Sequence, residues 1–166
     1  VKELPAHPYA VHAWLALGNQ HLRRRERSEA LKYFERARAL QGGDPQVLTA
    51  LGRWHLLGGD YRTAVVWLAR VHDHPPGELL LVEAYLRLQR YPPALAAAER
   101  LQRILDQFPA HDRPRVEMNL GLALIGRARE SAAARDYPAA YRLAMRARGI
   151  FIRINDSFSG NSDPFL

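Results

Sequence analysis

One segment near the start of the chain limits the folds open to it more than any other. It reads WLALGNQH at residues 14–21 and is followed by Ala30 and Phe34. The small residues Gly18 and Ala30 allow two antiparallel helices to approach closely, and the larger side chains of Trp14, Leu17 and Phe34 fill the space around that contact. The segment therefore predicts a helical hairpin, which is a scaffold and not in itself a catalytic site.

The same pattern recurs further along the chain. Four positions of the first hairpin have counterparts at one constant interval, namely Leu48, Leu51, Gly52 and His55 for Trp14, Leu17, Gly18 and His21. The sequence GGDY at 58–61 is predicted to be the turn between the two helices, and Ala64 and Leu68 match Ala30 and Phe34. Asp44 and Pro45 open the unit as a helix cap and a first-turn proline. A second hairpin is therefore predicted.

Both units resemble the tetratricopeptide repeat, whose pattern is W-x2-L-G-x2-Y…A-x3-F with a period of about 34 residues. His21 and His55 stand where that family usually has Tyr. The resemblance implies an all-α fold, in which about four antiparallel helix pairs stack into a right-handed superhelical solenoid with one concave face. We expect it to cover residues 8–154, in units at about 11–44, 45–74, 75–110 and 114–154. Residues 1–7 are interpreted as an N-terminal extension and residues 155–166 as a C-terminal tail.

The third unit is shorter in its spacing than the first two. The interval from Tyr61 to Tyr91 is smaller than the interval from Gly18 to Gly52. The helices of this unit are predicted from about Pro76 to Gln89 and from about Pro92 to Gln107. The packing positions are Leu81, Val82, Tyr85, Ala94, Ala98 and Leu101. The spacing implies a tight linker at 72–77, because proline is not tolerated inside a helix.

The fourth unit is longer than the others. It restarts at Pro114, and its turn, DYP at 136–138, arrives seven residues late. Seven residues make about two helical turns, so we expect a first helix that extends through Ala134. A rival register places the turn near Gly126 and starts the second helix at Ser131. We disfavour it because Pro138 would then lie inside a helix, at a cost of about 3 kcal/mol.

The last helix is expected from about Pro138 to Ile154 and is amphipathic. Its apolar stripe contains Ala140, Leu143, Ala144, Ala147, Ile150, Phe151 and Ile154, whereas Arg142, Arg146 and Arg153 lie on another face. Residues 155–164 are rich in turn formers and are predicted to be loosely ordered. If the tail leaves it uncovered, the stripe near Phe151 is a candidate contact between copies of the chain in a homo-oligomer.

The sequence offers little for catalysis. It has no cysteine, which excludes disulfides, thiolate catalysis and Cys-based zinc sites. It also lacks a Gly-rich phosphate loop, a zinc-protease helix and a nucleophile elbow. The cluster His72-Asp73-His74 supplies two imidazoles where a metal site needs three or four ligands. We therefore predict that the protein is not an enzyme and uses no cofactor and no metal.

The chain is strongly basic, and its basic residues are almost all arginine. The formal net charge is +7, and 22 of the 24 basic residues are arginine. With abundant Ala and Leu, this bias is typical of GC-rich bacterial coding and is weak evidence for nucleic-acid binding. The basic run at 23–27 and the arginines of the last helix are interpreted as solvated faces, because no aromatic residues interleave with them.

The sequence also bears on where the protein resides. No apolar run approaches the ~18 residues of a membrane span, and the first residues lack the apolar core of a signal peptide. A cytoplasmic location is the simplest expectation. The chain begins with Val1 and not with Met, which points to a fragment of a larger protein.

The concave face that the resemblance implies is the expected binding surface, lined by the first helix of each pair. Its predicted residues are His12, Asn19, Arg23, Gln46, Thr49, Arg53, Glu83, Arg87, Met118, Leu122 and Ile125. Arginine can bind a carboxylate through two hydrogen bonds, and methionine makes adaptable apolar contacts. Some family members hold a peptide's terminal carboxylate with Lys and Asn. Asn19 matches one such Asn, but Leu15 and Ala50 occupy the partner positions, so that clamp is not supported.

Our leading hypothesis is a non-catalytic scaffold or adaptor that binds a protein or peptide segment in this groove. One alternative is a sensor or effector domain of a larger bacterial transcription regulator, which the extended fourth unit and the start of the chain at Val1 favour. Another is nucleic-acid binding through the arginine faces, which would depend steeply on salt.

Overall fold

The computed structural model describes residues 8–71 and 73–159, and these residues form helices and turns without a strand. Within these residues the eight α-helices are α1 (Pro8–Arg23), α2 (Arg27–Gln41), α3 (Pro45–Leu57), α4 (Tyr61–Leu68), α5 (Pro75–Arg87), α6 (Tyr91–Arg103), α7 (Arg113–Ala133) and α8 (Tyr137–Ser159). A short 3-10 helix, Leu105–Gln107, lies between α6 and α7. The all-α prediction is confirmed.

Four turns, one in each helix pair, share one backbone geometry. In each turn one residue has a left-handed φ, and these residues are Arg25 (64°), Gly59 (79°), Gln89 (56°) and Arg135 (62°). The next residue donates its backbone N–H to the carbonyl five residues earlier, in the pairs Glu26–His21, Asp60–His55, Arg90–Tyr85 and Asp136–Ser131. This is the Schellman arrangement that ends many helices. The same turn geometry therefore joins the two helices of each pair.

The chain divides into two compact units, residues 1–84 and 85–166. In the first unit α1 packs on α2, α3 packs on both, and α4 packs on α3. A Cβ atom on Gly18 would lie 2.6 Å from Cδ1 of Phe34, and one on Gly52 would lie 2.5 Å from Cδ2 of Leu68. The absence of a side chain at these two positions is what allows the helices of each pair to approach closely. Leu17, expected to fill the contact at Gly18, is instead 36% exposed.

In the second unit α6 packs on α7 and α7 packs on α8. Helix α7 continues to Ala133, as the extended register predicts, and the rival turn near Gly126 does not occur. A Cβ on Gly121 would lie 2.6 Å from Cζ of Phe151. The large partner thus follows its glycine at a longer interval here than in the first two hairpins, because each helix has gained seven residues between the contact and the turn.

Two helix ends differ from the prediction. Helix α6 ends at Arg103 and does not continue to Gln107, because the backbone of Ile104 leaves the α-helical region (φ −112°, ψ 21°) and Leu105–Gln107 form the short 3-10 helix. Phe108 is then extended before Pro109, as a residue preceding proline prefers. Helix α8 continues past Ile154 to Ser159, and the Ser157 hydroxyl donates to the Arg153 carbonyl at 2.8 Å. Residues 155–159 of the predicted loose tail are therefore helical. The rest of that tail and the N-terminal extension at 1–7 lie outside the described residues.

Candidate functional site

Five of the predicted groove residues lie together on the first unit. Asn19, Gln46, Thr49 and Arg53 line a cavity of about 220 Å³, along with Leu15, Ala50, His74 and Pro76. A second cavity of about 460 Å³ is lined by Asn19, Arg23 and Arg53, with Ala16, Leu22 and Leu57. Because Asn19 and Arg53 line both cavities, we treat the two as one feature, the α1–α3 groove.

The repeat pattern determines where Asn19 and Arg53, the two residues shared by both cavities, lie on their helices. Asn19 follows Gly18 on α1, and Arg53 follows Gly52 on α3, so the two side chains occupy the same position in consecutive repeats. Both are half-buried. The Asp44 carboxylate accepts hydrogen bonds from the backbone N–H groups of Gln46 at 2.7 Å and Val47 at 3.2 Å. This cap fixes the start of α3 and, with it, the side of the helix that faces the groove.

The Thr49 hydroxyl is the least satisfied group in the groove. The residue is 5% exposed, and its Oγ1 has no hydrogen-bond partner among the described residues. Gly77 of α5 lies close by, since a Cβ atom there would be 2.6 Å from Oγ1. A buried polar atom without a partner costs about 1–3 kcal/mol. A ligand that bonds to this oxygen would recover part of that cost.

His74 adds a titratable group to the same cavity. Its burial lowers the pKa of the imidazole below the usual value, and the positive charge of Arg53 lowers it further, while the Asp44 carboxylate acts in the opposite direction. A lowered pKa keeps the ring neutral at neutral pH. It can then both donate and accept a hydrogen bond in the groove. The linker position of His74 gave no indication of this placement.

The remaining predicted residues lie elsewhere. His12 is exposed on α1 and Glu83 is half-buried on α5, and neither lines the two cavities. Arg87, Met118, Leu122 and Ile125 belong to the second unit. There Met118 is 39% exposed and Leu122 is 44% exposed on α7.

An unpredicted clamp joins α2 to α3 beside the groove. The Arg27 guanidinium donates to the Trp54 carbonyl at 2.9 Å, and the indole Nε1–H donates back to the Arg27 carbonyl at 2.9 Å. The guanidinium also lies 4.7 Å from the centroid of the indole ring. A side chain on Gly58 would collide with it. Arg27 was grouped with a solvated basic run in the sequence, but here it holds two repeats together.

Two arginines of α8 form ion pairs with neighbouring helices. Arg146 pairs with Glu99 of α6 at 2.9 Å, and Arg153 lies 3.8 Å from Glu117 of α7. Of the three arginines predicted to form one solvated face, two therefore neutralise acidic residues of neighbouring helices. This pairing weakens the case for a nucleic-acid surface, which needs arginines available for phosphates.

The repeat histidines form local contacts. His21 stacks on Tyr33 with ring centroids 5.1 Å apart and bonds to Glu26. His55 lies 3.3 Å from the Asp60 carboxylate and meets the edge of Trp54. Each histidine thus contacts the acidic residue directly before the next helix. Neither takes part in an arrangement that indicates catalysis.

The described residues contain neither a metal-binding cluster nor a helix that could span a membrane. Within residues 8–71 and 73–159, no three or more His, Asp or Glu side chains come together in a way that could hold a metal ion. His72 of the sequence cluster lies outside the described residues. No helix in the described part of the chain is long and apolar enough to cross a membrane.

Comparison with known proteins agrees with the geometry. Residues 11–54 match the family model described as tetratricopeptide repeat, a stretch that covers the first hairpin and most of α3. No curated protein matches the chain. Consecutive helices pack within each unit, and the four Schellman turns repeat the hairpin along the chain, as in a tetratricopeptide-type helical solenoid. The first hairpin and most of α3 are thus similar to the tetratricopeptide repeat family, and the repeated turns continue the same type of helical repeat along the described chain.

Proposed function

We propose that the chain is a scaffold that binds a protein or peptide segment in the α1–α3 groove. Tetratricopeptide repeats generally mediate contacts between proteins and form non-catalytic scaffolds. The observation that carries the proposal is the buried Thr49 hydroxyl, which lacks a partner among the described residues and lines a cavity with Asn19 and Arg53. A ligand atom or an ordered water that reaches this oxygen would supply the missing partner.

The two cavities favour different parts of a ligand. The smaller one offers the Asn19 amide, which both donates and accepts, and the Arg53 guanidinium, which can bind a carboxylate through two hydrogen bonds. The larger one adds the apolar side chains of Leu22 and Leu57, the second of which is 59% exposed. Together, the two cavities fit a segment in which a polar or acidic group lies next to an apolar side chain.

A longer partner has further surface to contact. His12 and Arg87 are exposed, Glu83 is half-buried, and Met118 and Leu122 expose over a third of their surface. We retain these residues in the proposal as outer contacts of such a partner. Their expected contributions are smaller than that of Arg53, because exposed contacts are worth less than buried ones.

A peptide selection tests the proposal without a known partner. Short linear peptides would be selected on the wild-type protein from a phage-displayed library, and their Kd measured by calorimetry. We expect Arg53→Glu to weaken binding by at least about tenfold, or about 1.4 kcal/mol. Arg62→Glu is the matched control, because Arg62 is exposed on α4 and lies outside both cavities. Equal losses in the two variants would place the binding surface elsewhere.

Thr49→Val gives a sharper test, since valine keeps the shape and removes the hydroxyl. Without ligand, we expect the Tm to stay the same or rise, because a buried unpartnered polar atom is lost. The affinity for the selected peptides should fall by about five- to tenfold, the loss of one hydrogen bond of about 1 kcal/mol. A variant that binds these peptides as well as the wild type would contradict the role given to Thr49.

A further inference from the structure

A second surface, on the other unit, carries a separate inference. Between α7 and α8 lies an open groove of about 510 Å³. Its lining is mostly apolar and includes Ile125, Ala147, Phe151 and Ile152, along with the polar side chains of Arg148 and Asn155. Every lining residue belongs to α7 or α8, so no other described helix covers it. We call it the α7–α8 groove.

The first unit shows what covers the corresponding surface there. Aligning Gly18 with Gly121, and Phe34 with Phe151, places Leu22 at the position of Ile125 and Ala30 at that of Ala147. In the first unit this surface belongs to a buried cluster that also contains residues of α3. The groove therefore corresponds to a surface that accepts a helix elsewhere in the same chain.

The helix that covers the first surface has a defined pattern. The α3 residues in or against the cluster are Val47, Ala50, Leu51 and Trp54. They stand at positions i, i+3, i+4 and i+7, the apolar stripe of an amphipathic helix. A helix with this stripe therefore fits the α7–α8 groove by the same packing.

Charge distinguishes the two surfaces. The alignment puts Arg148 where the first unit has Leu31. Arg148 is exposed and makes no ion pair with a described residue, whereas Arg146 and Arg153 of the same helix are paired. Helix α8 carries four arginines and one acidic residue. A second copy of this face would bring like charges together, and an acidic helix would be attracted.

We propose that the α7–α8 groove binds an amphipathic helix of a partner protein, with apolar side chains at i, i+3, i+4 and i+7 and a glutamate or aspartate facing Arg148. The groove lies in the second unit, and the inference does not rest on the proposed role of the α1–α3 groove. The neighbouring Met145 is 42% exposed and enlarges the apolar area with a side chain that adapts to its partner.

Three stapled helical peptides of about 16 residues serve as probes, because unsupported helices of this length are marginal in water. One has the apolar stripe with glutamates on the flanking positions, the second has lysines there, and the third has the acidic composition with the stripe scrambled. Binding is measured by fluorescence anisotropy at about 0.1 M salt. We expect the acidic peptide to bind at least about tenfold more tightly than either of the others, a difference of about 1.4 kcal/mol.

Variants then locate the site. Arg148→Glu should reverse the preference between the acidic and basic peptides, and Ile152→Ser should weaken both. Arg142→Glu is the matched control, because Arg142 is exposed on α8 but does not line the groove. It should change the affinities by less than about twofold. Circular dichroism checks that all variants fold.

Three outcomes would overturn the proposal. Equal binding of the acidic and basic peptides would remove the role of Arg148. Equal effects of Arg142→Glu and Arg148→Glu on peptide affinity would show that the acidic peptide is attracted to the whole of α8 and does not bind in a defined groove. A dimer detected by light scattering that excludes the acidic peptide would show that a second copy of the chain covers the surface.

Discussion

Three of the four hairpin turns place a residue with a side chain in a conformation that favours glycine. Arg25, Gln89 and Arg135 have φ values of 64°, 56° and 62°, whereas the remaining turn has Gly59. A left-handed backbone costs a residue with a Cβ about 1–2 kcal/mol. Glycine avoids this cost, but its greater freedom in the unfolded chain offsets about 0.5–1 kcal/mol of the stability gained. Each substitution to glycine should therefore raise the free energy of unfolding by about 0.5–1 kcal/mol.

Little else changes at these positions. The three side chains are exposed, and the hydrogen bonds of the turns come from the backbone, which glycine retains. The three residues lie in different turns, so the effects should be roughly additive. The triple variant, Arg25→Gly with Gln89→Gly and Arg135→Gly, is expected to be about 2 kcal/mol more stable than the wild type.

Urea unfolding followed by far-ultraviolet circular dichroism measures these changes. Gly59→Ala is the reciprocal control: no atom lies within 4 Å of the added Cβ, so only the backbone opposes it. It should lower the free energy of unfolding by about 1 kcal/mol. Arg24→Gly is the control for the effect of glycine alone, because Arg24 lies next to the turn but does not have a positive φ. If Arg25→Gly destabilises the protein as much as Arg24→Gly, the reasoning from turn conformation fails.

Three other substitutions test the packing and capping described above. Gly52→Ala should lower stability by about 1–3 kcal/mol through overpacking against Leu68, and a smaller loss in a Leu68→Ala background, measured in urea, would confirm the contact. Trp54→Phe should cost about 1 kcal/mol in the same assay by removing the indole hydrogen bond of the α2–α3 clamp. Hydrogen bonds from Thr63 hold the pKa of Asp60 below its usual value, so its contribution is present above the unfolded pKa and is lost as pH falls. Asp60→Asn should therefore show a shallower loss of Tm between about pH 5 and pH 2 than the wild type.

The sequence predicted the hairpins because each depends on a local spacing. Gly18 with Phe34 and Gly52 with Leu68 stand at the same interval, and the late turn at 136–138 required a longer α7. Leu17 was misjudged because its burial depends on a neighbour and not on the hairpin. Its counterpart Leu51 is 1% exposed, since α1 and α2 precede it. No described helix precedes α1 to cover Leu17.

The candidate site was predictable to the extent that it follows the repeat. Asn19 and Arg53 share a repeat position, and the structure places both along one groove. His74 and the clamp between Arg27 and Trp54 were not predicted. Both depend on how one hairpin is rotated against the next, and the repeat period alone does not specify that rotation. The sequence therefore did not indicate that His74, in a linker, would line the groove, or that Arg27, in a basic run, would bind Trp54.

The added residues of the fourth hairpin explain how it lengthens without losing the repeat geometry. Seven residues turn a helix through about 700°, only about 20° short of two full turns. Side chains on either side of the addition therefore keep their faces, and Gly121 still receives Phe151. Gly126, which aligns with Arg23 at the end of α1, lies against the ring of Tyr91 on α6, so α7 is packed up to the start of the addition. An addition of five residues would instead leave the part of α7 beyond it about 160° away from its present orientation about the helix axis. The length of the addition is thus set by helix geometry, and it extends α8 without disturbing the glycine contact beside the α7–α8 groove.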